Sequence, residues 1–455
     1  MTVVNPDAPT APPASRARRA GALTGVSLGY FMVLLDTTVL SVAEPDLAAS
    51  LHTPMAGLQW ATTGYTVVFA ALLLSAGAAA DRFGADRVFR AGTAVFALAS
   101  LLSSLAPDLG VLLVLRAVSG AAAAACVPAS MALIARLCPL PAARARAISV
   151  WAAVSGAAVA AGPIAGGALV EASGWRAVFL LNVPLGLLVL ALTRGRAVRC
   201  PRGADRVDWP AQAAAVVVLA LLTDVLIAAG AGAWAHTAWS AGGLGIAVTV
   251  FTRLERRSQA PVVNRTLLRS APVRAGLLAG AVTNFALSGA LFVLPLLLQR
   301  ERHLSALETG LAFLPLTVPF AANPPLTGRI VARTGPRPPI VAGLALLTAG
   351  STLLAAAVFA DGAYVWLAVG LLLTGLGISF VLPALAAAVL GVAPPGTAGS
   401  AGGLLNAVRQ TGATLGVALT GAAATADTGW SLLLPAGLGA LAWLVFARTP
   451  GGTAR

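Results

Sequence analysis

Asp36, Glu44 and Arg116 are charged side chains that stand inside long apolar runs. Asp36 and Glu44 share one run and Arg116 lies in another. A charge at the centre of a bilayer costs about 2.5–3.5 kcal/mol on insertion scales, so such residues mark a relay, a pathway or a pairing. A carboxyl group taken out of water favours its protonated form, which suits uptake and release of a proton near neutral pH. Asp36 is thus the first candidate for proton coupling; the alternative is an aspartate paired for helix packing. Glu44 follows on the same helix, about 80° round and about 12 Å further along. It is either a second carboxylate on the pathway or a wet residue at the outer interface. Arg116 needs a carboxylate, a carbonyl or water, because an unpaired guanidinium is too costly in lipid. An Asp36–Arg116 contact would make protonation of the aspartate a release signal.

Other polar residues interrupt the apolar runs more gently. Asn406, Arg409 and Gln410 form one group, which either faces a cavity or joins helices by hydrogen bonds. Trp60, Tyr65 and Asn284 are candidates for the wall of a cavity that takes an amphiphilic ligand. Trp60 serves equally well as an interfacial anchor. Asp224 receives no coupling role. Gly156, Gly162, Pro163, Gly166 and Gly167 make one run smooth and kinked, which lets another helix approach closely. The cysteines (Cys126, Cys138, Cys200) and histidines (His52, His236, His303) are scattered. They show neither a disulfide framework nor metal spacing, and the histidines are expected on outer loops. No nucleophile constellation, paired-aspartate motif or Gly-rich phosphate loop appears. The expectation is a protein that is not an enzyme and uses no cofactor or metal.

The elements that hold these residues follow from composition. The 455 residues are 58% apolar and only 10% charged, whereas a soluble protein is about a quarter charged. So little polar surface cannot cover a globule in water, and lipid is the solvent that fits. Barrel strands would alternate apolar and polar residues; the runs here are continuous and long enough for helices. Approximate spans are 21–43, 57–80, 88–105, 109–132, 145–171, 176–196, 209–230, 237–252, 273–299, 308–333, 338–359, 363–390, 400–425 and 429–447. The seventh and eighth are the weakest, since Gly and Trp interrupt them. The net charge of +14 does not indicate nucleic-acid binding, because the arginines sit in short loops rather than on one face. With the N-terminus inside, 25 of the 30 basic residues fall on inner segments. Arg176, Arg300 and Arg302 fall outside, and Arg116 and Arg409 lie within spans. This bias supports an even number of spans and two cytoplasmic termini. Losing one adjacent pair would give twelve spans with the same parity. The Pro/Ala-rich start ends in Arg16, Arg18 and Arg19 and leads into a first span, not a cleaved signal peptide.

An internal repeat is visible. Gly77, Arg82 and Gly84 recur at the same offsets as Gly328, Arg333 and Gly335. Duplicated helical sets around a central site are a common transporter plan. At this loop the chain resembles the major facilitator superfamily, whose loop signature is similar to Gly77, Asp81, Arg82, Gly84 and Arg87. Leu35, Asp36, Glu44 and Pro45 resemble that family's first-helix motif in its fourteen-span drug:proton antiporter type. Arg116, Ser119 and Gly120 resemble its fourth-helix motif, and Gly162, Pro163, Gly166 and Gly167 its antiporter signature. Gly174, Trp175, Arg176, Phe179, Asn182, Pro184 and Gly186 are similar to a stretch typical of the fourteen-span group. Ser119 stands where the family often has Gln, Ala85 and Asp86 where it favours basic residues, and Glu44 where it favours Leu.

The resemblance implies an all-α membrane fold of two six-helix bundles plus two accessory helices, with about 14 spans. The expected divisions are a tail at 1–20, a bundle at 21–196, a linker with the accessory pair at 197–272, a bundle at 273–447 and a tail at 448–455. It further implies proton-coupled export of small amphiphilic compounds, such as antibiotics, by alternating access, in a monomer of the cytoplasmic membrane. Asp36 and Arg116 would couple protons, with Glu44 beside them. Asp81 would cap a neighbouring helix in a gate, and the span-five glycines would seal the bundle. An exporter of one endogenous metabolite is an alternative, and a transporter-like sensor a more distant one.

Overall fold

In lipid a backbone must satisfy itself, which favours helix wherever the side chains permit. A computed structural model describes residues 16–195, 198–200, 208–258, 268–392 and 398–449, and among them no strand occurs. Most of the expected N-terminal tail, the linker stretches 201–207 and 259–267 and the last residues of the C-terminal tail lie outside the described residues. The first helices are α1 (Arg16–Ser50), α2 (Met55–Phe83), α3 (Ala85–Ser104), α4 (Leu109–Leu137) and α5 (Pro141–Ser173). Then come α6 (Arg176–Leu180), α7 (Asn182–Leu192), α8 (Trp209–Gly230) and α9 (Trp234–Arg257). The remainder are α10 (Ala271–Leu296), α11 (Ala306–Ala312), α12 (Leu314–Ala322), α13 (Pro324–Thr334), α14 (Arg337–Phe359), α15 (Tyr364–Val392), α16 (Ala398–Ala424) and α17 (Thr428–Arg448).

Proline explains where single expected spans divide. Pro184 has no N–H to give the Leu180 carbonyl, and the helix breaks at Leu181 between α6 and α7. The stretch expected at 308–333 is three pieces, broken at Phe313 and Asn323. Pro315, Pro319, Pro324 and Pro325 withhold donors there. The helix α2 bends by 61° between Met55–Leu73 and Ala76–Phe83. Among the described residues, eight helices are long and apolar enough to cross a membrane, or nine if the bent α2 is one span. Of the two weakest expected spans, α8 is among the eight and α9 is not.

Lipid tails are as apolar as leucine, so helices here associate through close packing rather than through a hydrophobic drive. In the first part of the chain, α1 packs on α5 and α7, α4 on α2 and α3, and α3 on α7. In the second, α14 packs on α15 and α17, α10 on α16 and α17, and α12 on α15. These two groups meet where α2 lies on α16, α5 on α11 and α12, and α1 on α10. The helix α8 rests on both α2 and α16, and α9 packs on α8.

The internal repeat has a backbone counterpart. Gly84 (φ 92°) and Gly335 (φ 79°) each turn the chain after the arginine-bearing helices α2 and α13. His52 (φ 48°) and His303 (φ 57°) precede them by the same interval, both in the left-handed region that non-glycine residues seldom adopt. Both histidines therefore occupy the turns expected of them.

Candidate functional site

A cavity of about 810 Å³ lies between the two helix groups. Its walls carry Tyr30, Ser41 and Glu44 from α1, Thr62, Tyr65 and Thr66 from α2, and Arg116 from α4. Trp151 and Gly156 from α5, Asn284 from α10, and Asn406, Arg409 and Gln410 from α16 also line it. Ile148, Gly328, Arg329 and Ala332 are exposed lining residues at one end. Leu40, Glu44, Phe292 and Val417 are buried lining residues at the other. The cavity thus opens on the arginine-rich side of the protein and is closed on the opposite side.

The closed side is held by polar contacts between the two groups. Gln59 Nε2 donates to the main-chain oxygens of Ala418 at 2.8 Å and Val417 at 3.3 Å. Gln299 Nε2 donates to the Val42 carbonyl at 3.0 Å, and Ser305 Oγ donates to Glu171 Oε2 at 3.3 Å.

Asp36 and Arg116 meet, as expected from their burial. An Arg116 Nη donates to Asp36 Oδ2 at 2.5 Å, and both side chains are 2% exposed. Asn182 Nδ2 donates to Asp36 Oδ1 at 2.9 Å, so each carboxylate oxygen has a partner. The break before α7 brings Asn182 to this point. Arg116 Nε donates to the Ala61 carbonyl at 3.3 Å, and its guanidinium carbon lies 4.6 Å from the Tyr65 ring centroid. Arg116 faces the cavity, while Asp36 stands behind it, off the lining. Glu44 is buried rather than wet. Its Oε1 accepts from Thr62 Oγ1 at 2.9 Å, and its Oε2 is without a partner.

The small residues of α5 face two ways. A Cβ on Gly162 would collide with Thr38, and one on Gly166 would meet the Val39 carbonyl, both on α1. A Cβ on Gly156 would lie 2.7 Å from the Phe320 carbonyl on α12. One on Gly167 would strike the main chain at Ala306 and Leu307 on α11, whose own Gly310 sits against Pro163. Only glycine lets α5 touch α1 on one face and the second helix group on the other.

Some expectations part from the geometry. Trp60 does not line the cavity, although Tyr65, Asn284, Asn406, Arg409 and Gln410 do. His236 is exposed, as expected, but stands on a helix rather than in a loop. It lies in the first turn of α9, 2.7 Å from Asp224 Oδ2, which also accepts from Ser240 Oγ. Asp81 and Arg82 are exposed at the end of α2, and Arg87 is exposed on α3. The first turn of α3 buries Asp86, whose Oδ1 accepts from the Cys200 N–H at 2.9 Å. Burial, and after it the Asp86 charge, push the Cys200 thiol up. Asn182, Tyr30 and Trp151 were missed as site residues. For the first, the available signals were a lone Asn in an apolar run and its place in the stretch similar to the fourteen-span group.

A family model described as Major Facilitator Superfamily matches residues 26–417 and 276–454. The chain is similar to the tetracenomycin C resistance and export protein of Streptomyces glaucescens, at 34% identity over 420 residues, 89% of this chain and 76% of that protein. It is likewise similar to the methylenomycin A resistance protein of Streptomyces coelicolor, at 34% identity over 415 residues, 90% of this chain and 86% of that protein. Among solved structures it resembles a bacterial homologue of the human lysosomal transporter Spinster, inward-facing and unoccupied, with a TM-score of 0.67 at 18% identity. That likeness of fold covers 97% of this chain and 100% of the other.

Proposed function

Because the chain belongs to the major facilitator superfamily, we propose that it exports small amphiphilic compounds, antibiotics among them, in exchange for protons. The observation that carries this reading is a buried Asp36–Arg116 ion pair whose arginine faces a cavity that opens to one side only. The relatives named for antibiotic resistance and export support the cargo class.

In this reading the chain has fourteen spans. Bundles at 21–196 and 273–447 flank an accessory pair within 197–272, both termini are cytoplasmic, and the protein works as a monomer. The open end of the cavity is then the cytoplasmic end, and the structure is a cargo-loading state. A proton that reaches Asp36 removes the anion that Arg116 faces, and the guanidinium loses its reason to stay. Asn182 keeps its grip on the neutral acid or lets go, and α1 and α4 become free to shift. Because α1 touches α5 through Gly162 and Gly166, and α5 touches the second group through Gly156 and Gly167, the shift reaches the interface between the groups. Glu44, at the closed end, serves as a second carboxyl on the path. Asp81, Arg82 and Arg87, with Gly77 and Gly84, form the gate on the open side. If each cycle moves one net positive charge inward, 100 mV contributes about 2.3 kcal/mol, which sustains roughly a fifty-fold cargo gradient.

The test is drug susceptibility of a sensitive bacterial host that expresses the protein, with and without a protonophore. Expression should raise resistance to at least one amphiphilic antibiotic, and the protonophore should abolish the gain. Efflux indifferent to the protonophore would remove the coupling and leave the fold.

A further inference from the structure

The charges that line the cavity do not balance. They are Glu44, Arg116, Arg329 and Arg409. Arg116 is committed to Asp36, and Glu44 lies at the closed end, hydrogen-bonded to Thr62. Arg329 stands exposed at the mouth. Arg409 is held by neutral groups: Nε donates to Asn284 Oδ1 at 3.3 Å, and an Nη donates to Asn406 Oδ1 at 3.1 Å. Among the described residues no carboxylate comes within ion-pair distance of it. The two amides fix the direction of the guanidinium without neutralising it. Such a fork matches a carboxylate, sulfonate or phenolate in shape and charge. The same cavity holds a flat aromatic surface, where Tyr30 and Trp151 stack at 4.2 Å between centroids and 5° between planes.

We propose that the cavity selects planar aromatic anions, with the acidic group on Arg409 and the ring system against the Tyr30–Trp151 stack. This rests on the export reading and narrows its cargo. A positively charged cargo would meet two arginines, Arg329 and Arg409, that have no carboxylate partner among the described residues before it reached Glu44, so the geometry disfavours it.

The test uses two probes that share one ring system, fluorescein (an anion) and rhodamine 123 (a cation). Binding to the purified full-length protein in detergent is read by fluorescence anisotropy. The wild type should bind fluorescein about tenfold more tightly than rhodamine 123. Arg409→Gln should lose that preference through a weaker fluorescein Kd, and Arg409→Lys should keep part of it. Asn284→Asp gives Arg409 the missing carboxylate at nearly constant shape and should also abolish the preference; it keeps the test decisive if Arg409→Gln fails to fold. Wild-type preference for rhodamine 123, or an unchanged fluorescein Kd in both Arg409→Gln and Asn284→Asp, would overturn the proposal. Binding is read without any gradient, so the two readings fail separately. A protein that binds fluorescein selectively but never accumulates it in vesicles supports the site and defeats export. One that pumps rhodamine 123 and ignores fluorescein does the reverse.

Discussion

Replacing Asp36 by asparagine keeps the shape of the side chain and deletes the charge that Arg116 faces at 2.5 Å. Arg116 then keeps the Ala61 carbonyl, the Tyr65 and Phe179 rings and at most the new amide oxygen, all of them neutral. Removing one partner of a buried pair costs about 3–5 kcal/mol. The ring contacts are already made in the wild type and offset none of this loss, and at 2% exposure water adds little. A loss of about 3–5 kcal/mol is therefore expected, read as a lower thermal midpoint in a protein that still inserts. The transport consequence is sharper. One pH unit corresponds to about 1.4 kcal/mol, so with the membrane potential clamped at zero a gradient of two units lets a one-for-one exchanger concentrate its cargo about a hundredfold. In everted vesicles with such a gradient the wild type should approach that ratio, while Asp36→Asn should not rise above equality. Counterflow of labelled against unlabelled cargo, which needs no proton, should persist in the variant. A wild-type gradient built by Asp36→Asn would refute the coupling role. Loss of counterflow as well would assign Asp36 to folding or cargo instead. Adding Arg116→Gln to Asp36→Asn should recover part of that loss, with a coupling of up to about 3 kcal/mol.

Three further outcomes follow from the packing. Gly167→Leu drives a side chain into the main chain at Ala306 and Leu307, so it should abolish efflux in a protein that still inserts, whereas Gly437→Ala, with nothing within 4 Å of the new Cβ, should transport normally. Gln59→Ala removes the α2–α16 hydrogen bonds on the closed side; each is worth about 0.5–1.5 kcal/mol, and a cysteine introduced at Val417 should become more reactive to a membrane-impermeant maleimide added from the outside. Gly84→Ala and Gly335→Ala put a Cβ on positive φ, and each should lower the thermal midpoint by an amount equivalent to about 1–3 kcal/mol.

The sequence was most informative where lipid constrains it most. Long apolar runs leave helix as the fold, and the lone charges at Asp36 and Arg116 are too expensive to be incidental, so their meeting was legible in advance. The divided spans were legible in principle, since Pro184 and the prolines between 315 and 325 stand in plain sight. Each of these stretches reads as one span, because a proline's missing donor does not say whether a helix bends or ends. Asn182 was passed over because what it bonds depends on which helix the break delivers it to. Trp60 and Tyr65 lie five residues apart on one helix, and only the facing helices decide which of them sees the cavity. His236 failed as a loop residue because α9 begins earlier than its apolar run does.

The paired turns at His52 and Gly84, and at His303 and Gly335, imply a copied scaffold whose two copies no longer share a task. At the same interval along the chain, Asp36 falls on Leu287 and Glu44 on Pro295. The second copy has lost, or never had, the acidic chemistry of the first, and it carries Arg409 among amides instead. Once a single fold supplied two walls, each wall was free to specialise. One became an engine and the other a hand, and a change of diet can be acquired in the hand without rebuilding the engine.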